Sequence, residues 1–136
     1  MSRKRSRRLP PLEYAASVHP GLEEVTESEI RSTLSGAVPV THTRGWAVFH
    51  YPDDADALLR LRTTEDVFVL LYHTDKLPPN RGEAIPLLTR MARDSYHWGQ
   101  AMTSLYQTRR PVKRVTFRVI AQMSGKLGFR RQNMLV

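Results

Sequence analysis

Residues 37–51 read Ala-Val-Pro-Val-Thr-His-Thr-Arg-Gly-Trp-Ala-Val-Phe-His-Tyr. Two short runs rich in β-branched and aromatic residues flank Arg44-Gly45, which predicts a hairpin of strands 37–43 and 46–51. A two-residue loop sets position 42 against 47 and position 40 against 49. That register groups Val38, Val40, Ala47, Phe49 and Tyr51 on one face as a core, and puts His42 and His50 on opposite faces.

On the N-terminal side of the hairpin, Leu12 to Val18 is extended, with Leu12, Tyr14, Ala16 and Val18 on one face. Pro20-Gly21 then opens a helix whose first turn holds Glu23 and Glu24, the favourable charge for a helix N-terminus. Leu22, Val25, Ile30 and Leu34 form its apolar stripe, and Gly36 stops it. On the other side, Pro52-Asp53-Asp54 caps a second helix carrying Ala55, Leu58 and Leu59 and running to about Thr63. The continuous apolar run Val67 to Tyr72 predicts a strand covered on both faces. Strand, helix, strand, strand, helix, strand is the order of a ferredoxin-like βαββαβ sandwich, so the expected class is α+β, with this domain over residues 12–77.

Pro78-Pro79-Asn80-Arg81-Gly82 reads as a junction, and residues 78–136 as a second, partial α/β unit. Ala84, Leu88, Met91 and Ala92 make one helical stripe, with Pro86 placed in a first turn. Trp98, Ala101, Met102 and Leu105 make another, with Gly99 as the break between the two helices. Val112 to Met123 alternates as a strand, which sends Phe117 and Val119 into a core and Arg114 and Arg118 outward. Ser124-Gly125-Lys126 turns the chain, and Phe129 to Val136 begins a helix of about one turn. A lone strand and a single helical turn need further company, so the chain is expected to be the N-terminal piece of a longer protein.

The charge is distributed unevenly. Residues 1–8 carry five basic side chains and no acid; residues 109–136 carry eight and no acid; residues 9–108 hold eight basic and all 13 acidic residues, a net of −5. The formal total of +8 therefore arises from the two ends. Residues 1–11 read as a basic disordered tail. The C-terminal block of Arg109, Arg110, Lys113, Arg114, Arg118, Lys126, Arg130 and Arg131 falls on predicted structure and is the candidate RNA-binding site, since clustered cations release counterions from a polyanion. Its bland alternative is a solvated basic face.

Other chemistry lacks a pattern. With no cysteine there is no disulfide, thiolate nucleophile or Cys-ligated zinc. His19, His42, His50, His73 and His97 are scattered without the spacing that pairs two imidazoles on a helix, and read as surface or satisfied core residues. The acidic pairs Glu23-Glu24 and Asp53-Asp54 suit helix starts better than acid–base work. No glycine-rich phosphate loop or nucleophile elbow occurs, and no apolar run reaches the roughly 18 residues of a membrane span. A non-catalytic, cytoplasmic protein is expected.

Several segments in order resemble a known family. Val115-Thr-Phe117-Arg118-Val119, Gly125-Lys126 and Phe129-Arg130-Arg131-Gln-Asn resemble the strand, turn and helix of THUMP domains. Pro20-Gly21-Leu22-Glu23, Gly45-Trp46-Ala47-Val48-Phe49 and Leu59 to Val67 resemble the ferredoxin-like domain that precedes THUMP in RNA-modifying enzymes, most of all its methyltransferase branch. The resemblance implies binding of structured RNA, tRNA foremost and ribosomal RNA in some relatives. It implies Arg118, Lys126, Arg130 and Arg131 as inherited RNA contacts. It also implies a separate C-terminal methyltransferase domain that binds S-adenosylmethionine, a cofactor not expected in this chain. The alternative is a truncated protein-interaction domain that docks through a sheet edge or the Val67–Tyr72 strand and binds no RNA.

Overall fold

The computed structural model describes residues 12–94, 97–110 and 112–122. The protein is α+β. Four strands, β1 (Glu13–Val18), β2 (Val38–Thr43), β3 (Trp46–His50) and β4 (Thr64–Leu70), form one antiparallel sheet in the order β2-β3-β1-β4. Helix α1 (Glu23–Thr33) joins β1 to β2, and a six-residue 3-10 helix (Ala55–Arg60) joins β3 to β4. Helices α2 (Arg81–Asp94) and α3 (Trp98–Thr108) follow.

β1 is central and pairs on both sides: Tyr14 lies opposite Phe49 and Val69, and Ala16 opposite Ala47 and Val67. Because alternate side chains share a face, these residues make one apolar sheet surface. Ile30 and Leu34 of the α1 segment and Ala55, Leu58 and Leu61 around the 3-10 helix close over it, burying Phe49 completely. The Tyr14 and Phe49 rings stack with centroids 5.8 Å apart, a contact worth about 0.5–1.5 kcal/mol beyond area burial.

Two carboxylates fasten α1 to the sheet's loops. The N-cap position, Leu22, has no side-chain acceptor to offer; Glu23 accepts the Gly21 N–H at 2.8 Å and the Gly45 N–H at 2.7 Å. The Gly45 bond foremost holds the Glu23 carboxyl below its ordinary range. Gly45 has φ +84°, which the tight hairpin turn needs and which L-residues avoid. Further along the helix, Glu29 accepts the Arg62 N–H, the Thr63 N–H and the Thr63 hydroxyl at 2.8, 3.0 and 2.5 Å. Burial pushes the Glu29 carboxyl up, but these bonds, Thr63 first, outweigh it and hold the group low.

Several expectations are corrected. Leu22 and Val25 are exposed; the buried line of α1 is Thr26, Ile30 and Leu34, and Thr26 enters the core because its hydroxyl meets that of Thr63 at 2.9 Å. Position 42 does face 47, but the register shifts between Pro39 and Thr41, so Val40 bulges and Val38 falls opposite His50. Proline lacks the ladder N–H, and an edge strand tolerates the resulting bulge. Both valines are therefore exposed. The second helix is a 3-10 helix: with three residues per turn, Ala55 and Leu58 are buried while Leu59 is 72% exposed. β4 starts three residues earlier than predicted and is an edge strand, with Phe68 48% exposed on the sheet's other face. Asn80 accepts the Glu83 N–H and starts α2 early, which leaves Pro86 beyond the first turn.

α3 packs against the 3-10 helix rather than standing apart from it. Gln107 accepts the Ala55 N–H and donates to Asp54, both at 2.9 Å, supplying the cap that the Asp54 side chain does not. Ser104 is buried and meets the Tyr14 hydroxyl at 3.1 Å. Trp98 and Leu105, expected in the apolar stripe of α3, are largely exposed.

Tyr14→Phe leaves the Ser104 hydroxyl buried without a partner and is expected to cost about 1–3 kcal/mol in urea unfolding. Adding Ser104→Ala to it should recover part of that loss, because the orphaned group is then gone.

Candidate nucleic-acid interface

The basic block begins where α3 ends. The Arg109 N–H closes the last turn on the Leu105 carbonyl at 3.0 Å, and Arg109 itself turns extended, with φ −134° and ψ 147°. Arg109, Arg110, Lys113, Arg114 and Arg118 are all exposed. None makes an ion pair or side-chain hydrogen bond with another described residue. Five cations within ten residues are thus left to solvent. Lys126, Arg130 and Arg131, with the 1–11 tail, lie outside the described residues.

The strand expected over 112–123 is not formed across its described part, residues 112–122. Phe117, expected in a core, is 89% exposed, and Val119 is exposed too. A strand is completed by its neighbour's backbone, and this segment is paired with none of β1 to β4. Alternation of side chains is present in the sequence; the partner that would use it is not among the described residues. Arg114 and Arg118 are consequently brought to an exposed segment rather than to a rigid sheet surface.

Arg109 lines a cleft of about 400 Å³ between the 3-10 helix, β4 and α3. Leu58, Leu61 and Leu105 contribute apolar wall, and Glu65 and Asp66 lie on the same cleft as Arg109. The guanidinium there has carboxylates for company, whereas Arg114 and Arg118 stand in a stretch with no acid.

The histidines are used locally. His42 Nδ1 lies 2.9 Å from Glu27, and this hydrogen bond, reinforced by the carboxylate charge, raises the imidazole above its ordinary value. His42 and His50 fall on opposite sheet faces, as the hairpin register requires. His50 and His73 each come within 3.6 Å of Glu13. Among the described residues no group of three potential ligands is arranged to hold a metal ion. No helix among them is long and apolar enough to cross a membrane.

One exposed feature escaped the sequence reading. Trp46 and Phe68 touch at 5.8 Å between ring centroids on the sheet face away from the core, flanking Ser17 and Ala15 of β1. The signal was present in the hairpin alternation: positions 46, 48 and 50 must face away from Ala47 and Phe49. What the sequence did not disclose was that β4 brings Phe68 to the same face.

The chain matches no family model, no curated protein and no solved structure.

Phe117→Ser should leave the stability of the monomer in dilute solution unchanged, since the ring packs on almost nothing within one chain, whereas Phe49→Ala should cost about 3–5 kcal/mol by chemical denaturation. For His42 the raised folded-state value fixes the direction of a pH effect. Its pairing with Glu27 stabilises fully below the ordinary histidine value of 6.5 and is lost as pH rises through the folded value. Melting temperatures of the native chain and His42→Ala should therefore differ most at mildly acidic pH and converge at alkaline pH.

Proposed function

We propose that this chain is an RNA-binding module of an S-adenosylmethionine-dependent RNA methyltransferase, positioning structured RNA, tRNA foremost, for a catalytic domain outside the chain. The observation that carries the reading is the run of exposed basic side chains from Arg109 to Arg118 without an acidic partner among the described residues. Such a run binds by phosphate neutralisation and by the shape of an A-form helix rather than by base edges. An irregular segment suits that role, because phosphate contacts tolerate adjustment along the backbone.

The strand order also supports the first half of the resemblance. An antiparallel sheet ordered β2-β3-β1-β4, with a helix after β1 and another after β3, is the arrangement of a ferredoxin-like sandwich. Its second helix is shortened here to two 3-10 turns, and α3 packs beside it. The THUMP half of the reading rests on the sequence motifs at 115–119, 125–126 and 129–133. In this reading the chain itself is not an enzyme and holds no cofactor.

Filter binding of a tRNA transcript across a salt series tests the proposal. Arg114→Glu with Arg118→Glu should weaken retention and lower the magnitude of the log–log salt slope by about 0.7–0.9 for each phosphate that is no longer neutralised. Arg130→Glu with Arg131→Glu should act in the same direction. An unchanged slope removes the substituted pair from the interface, and no retention of the native chain at low salt ends the RNA reading.

A further inference from the structure

We propose that two copies of this chain associate by exchanging strands, residues 112–122 of each adding to the free edge of the other's β4. This stands on the edge itself and does not rest on RNA binding.

A sheet of four strands in this order has two edges, β2 and β4, each presenting backbone N–H and C=O groups that no described strand satisfies. The edges are not equivalent. β2 carries Pro39 and a bulge at Val40, devices that spoil pairing. β4 has no proline; its one irregularity, at Glu65, lies near the start of the strand and leaves Val67, Phe68, Val69 and Leu70 in regular register, with Phe68 exposed. It is the open template of the two.

The same chain displays a strand in want of a sheet. Residues 114–119 of this segment alternate polar and apolar side chains yet are unpaired, with Phe117 almost fully exposed and Ala121 alone buried. The two surfaces are complementary. β4 opens with exposed Glu65 and Asp66, and the segment carries Arg114 and Arg118 around Phe117. Pairing that sets Arg114, Thr116 and Arg118 on the face of Asp66 puts cation against carboxylate and sends Phe117 to the other face, beside the half-buried Val67 and Val69 at the margin of the core.

The connection favours a second copy as the occupant. Arg109 lines the same cleft as Thr64, Glu65, Asp66 and Val67, so the segment departs beside the start of the edge. In the structure it does not pair with that edge. A two-fold axis at this point lets each segment reach across to its partner, and one edge plus one strand per copy closes the assembly at two.

The test uses nuclease-treated protein and light scattering. At about 100 µM, a concentration at which micromolar association is nearly complete, the mass should be twice the 15.6 kDa of the chain and should fall toward one chain with added salt. Phe117→Asp should give a folded monomer, because the ring contributes nothing to the isolated fold. Glu65→Arg with Asp66→Arg should also give a monomer, and mixing it with Arg114→Glu/Arg118→Glu should restore both interfaces in a heterodimer, one with the native charges and one with the charges inverted. Since the chain has no cysteine, Asp66→Cys and Thr116→Cys chains can be mixed and oxidised, and a disulfide between the two chains is expected. A monomeric native chain overturns the proposal. So does a dimer that Phe117→Asp leaves intact, a dimer that nuclease abolishes, or an exclusively intrachain disulfide when both cysteines share one chain. Failure of the native chain to retain tRNA at low salt would bear on the RNA reading alone, because native dimerisation is read separately by mass.

Discussion

Tyr14 must be buried by its ring and satisfied at its hydroxyl, and most of the structure is arranged around that double demand. Its position on the central strand sets the ring against Phe49 on one side and opposite Val69 on the other. A buried phenol that loses its hydrogen bond costs more than the bond itself contributes. The remedy comes from 90 residues away, where Ser104 meets the hydroxyl. Burial pushes the phenol up and the serine bond offsets part of that effect, so the group stays neutral and available for hydrogen bonding. The core of the sheet and the seating of α3 are consequently one problem with one solution.

The carboxylates of α1 work on the same principle at the other side of the core. Glu23 sits in the first turn of the helix, where its charge suits the dipole, and Glu29 in the second half, where it does not. Each collects backbone N–H groups from a loop that has no strand to satisfy it: the hairpin turn at Gly45, and the approach to β4 at Arg62 and Thr63. Helix-start acids and loop anchors look alike in a sequence. Only the three-dimensional position of the loops separates them.

Strand identity and order were legible because alternation along β1 and β3 is strict: Tyr14, Ala16, Ala47 and Phe49 all fell on the face expected of them. The limits of β4, the bulge at Val40 and the 3-10 geometry after Asp54 were not, since each depends on what a neighbour provides rather than on a period. Thr26 carries no apolar signal although it is fully buried, because its partner Thr63 is 37 positions away. In the candidate interface, the basic side chains from Arg109 to Arg118 are exposed. The rigid strand expected beneath them is not formed, because alternation describes a surface only when something covers it. Phe117 is the clearest case: its position in the pattern was right for a core residue, and no core is there.

The cap that Gln107 places on the 3-10 helix has a bearing on how the chain comes into being. Synthesis proceeds from the N-terminus, and all four strands are available once Leu70 has left the ribosome. The sheet can then pair, but the Ala55 N–H and the Tyr14 hydroxyl still lack their partners until Ser104 and Gln107 emerge. For the time taken to add that stretch of chain, the nascent domain has its strands in register and one wall open to water. A chaperone that recognises unfinished cores would meet this protein in that interval, at the face α3 later occupies.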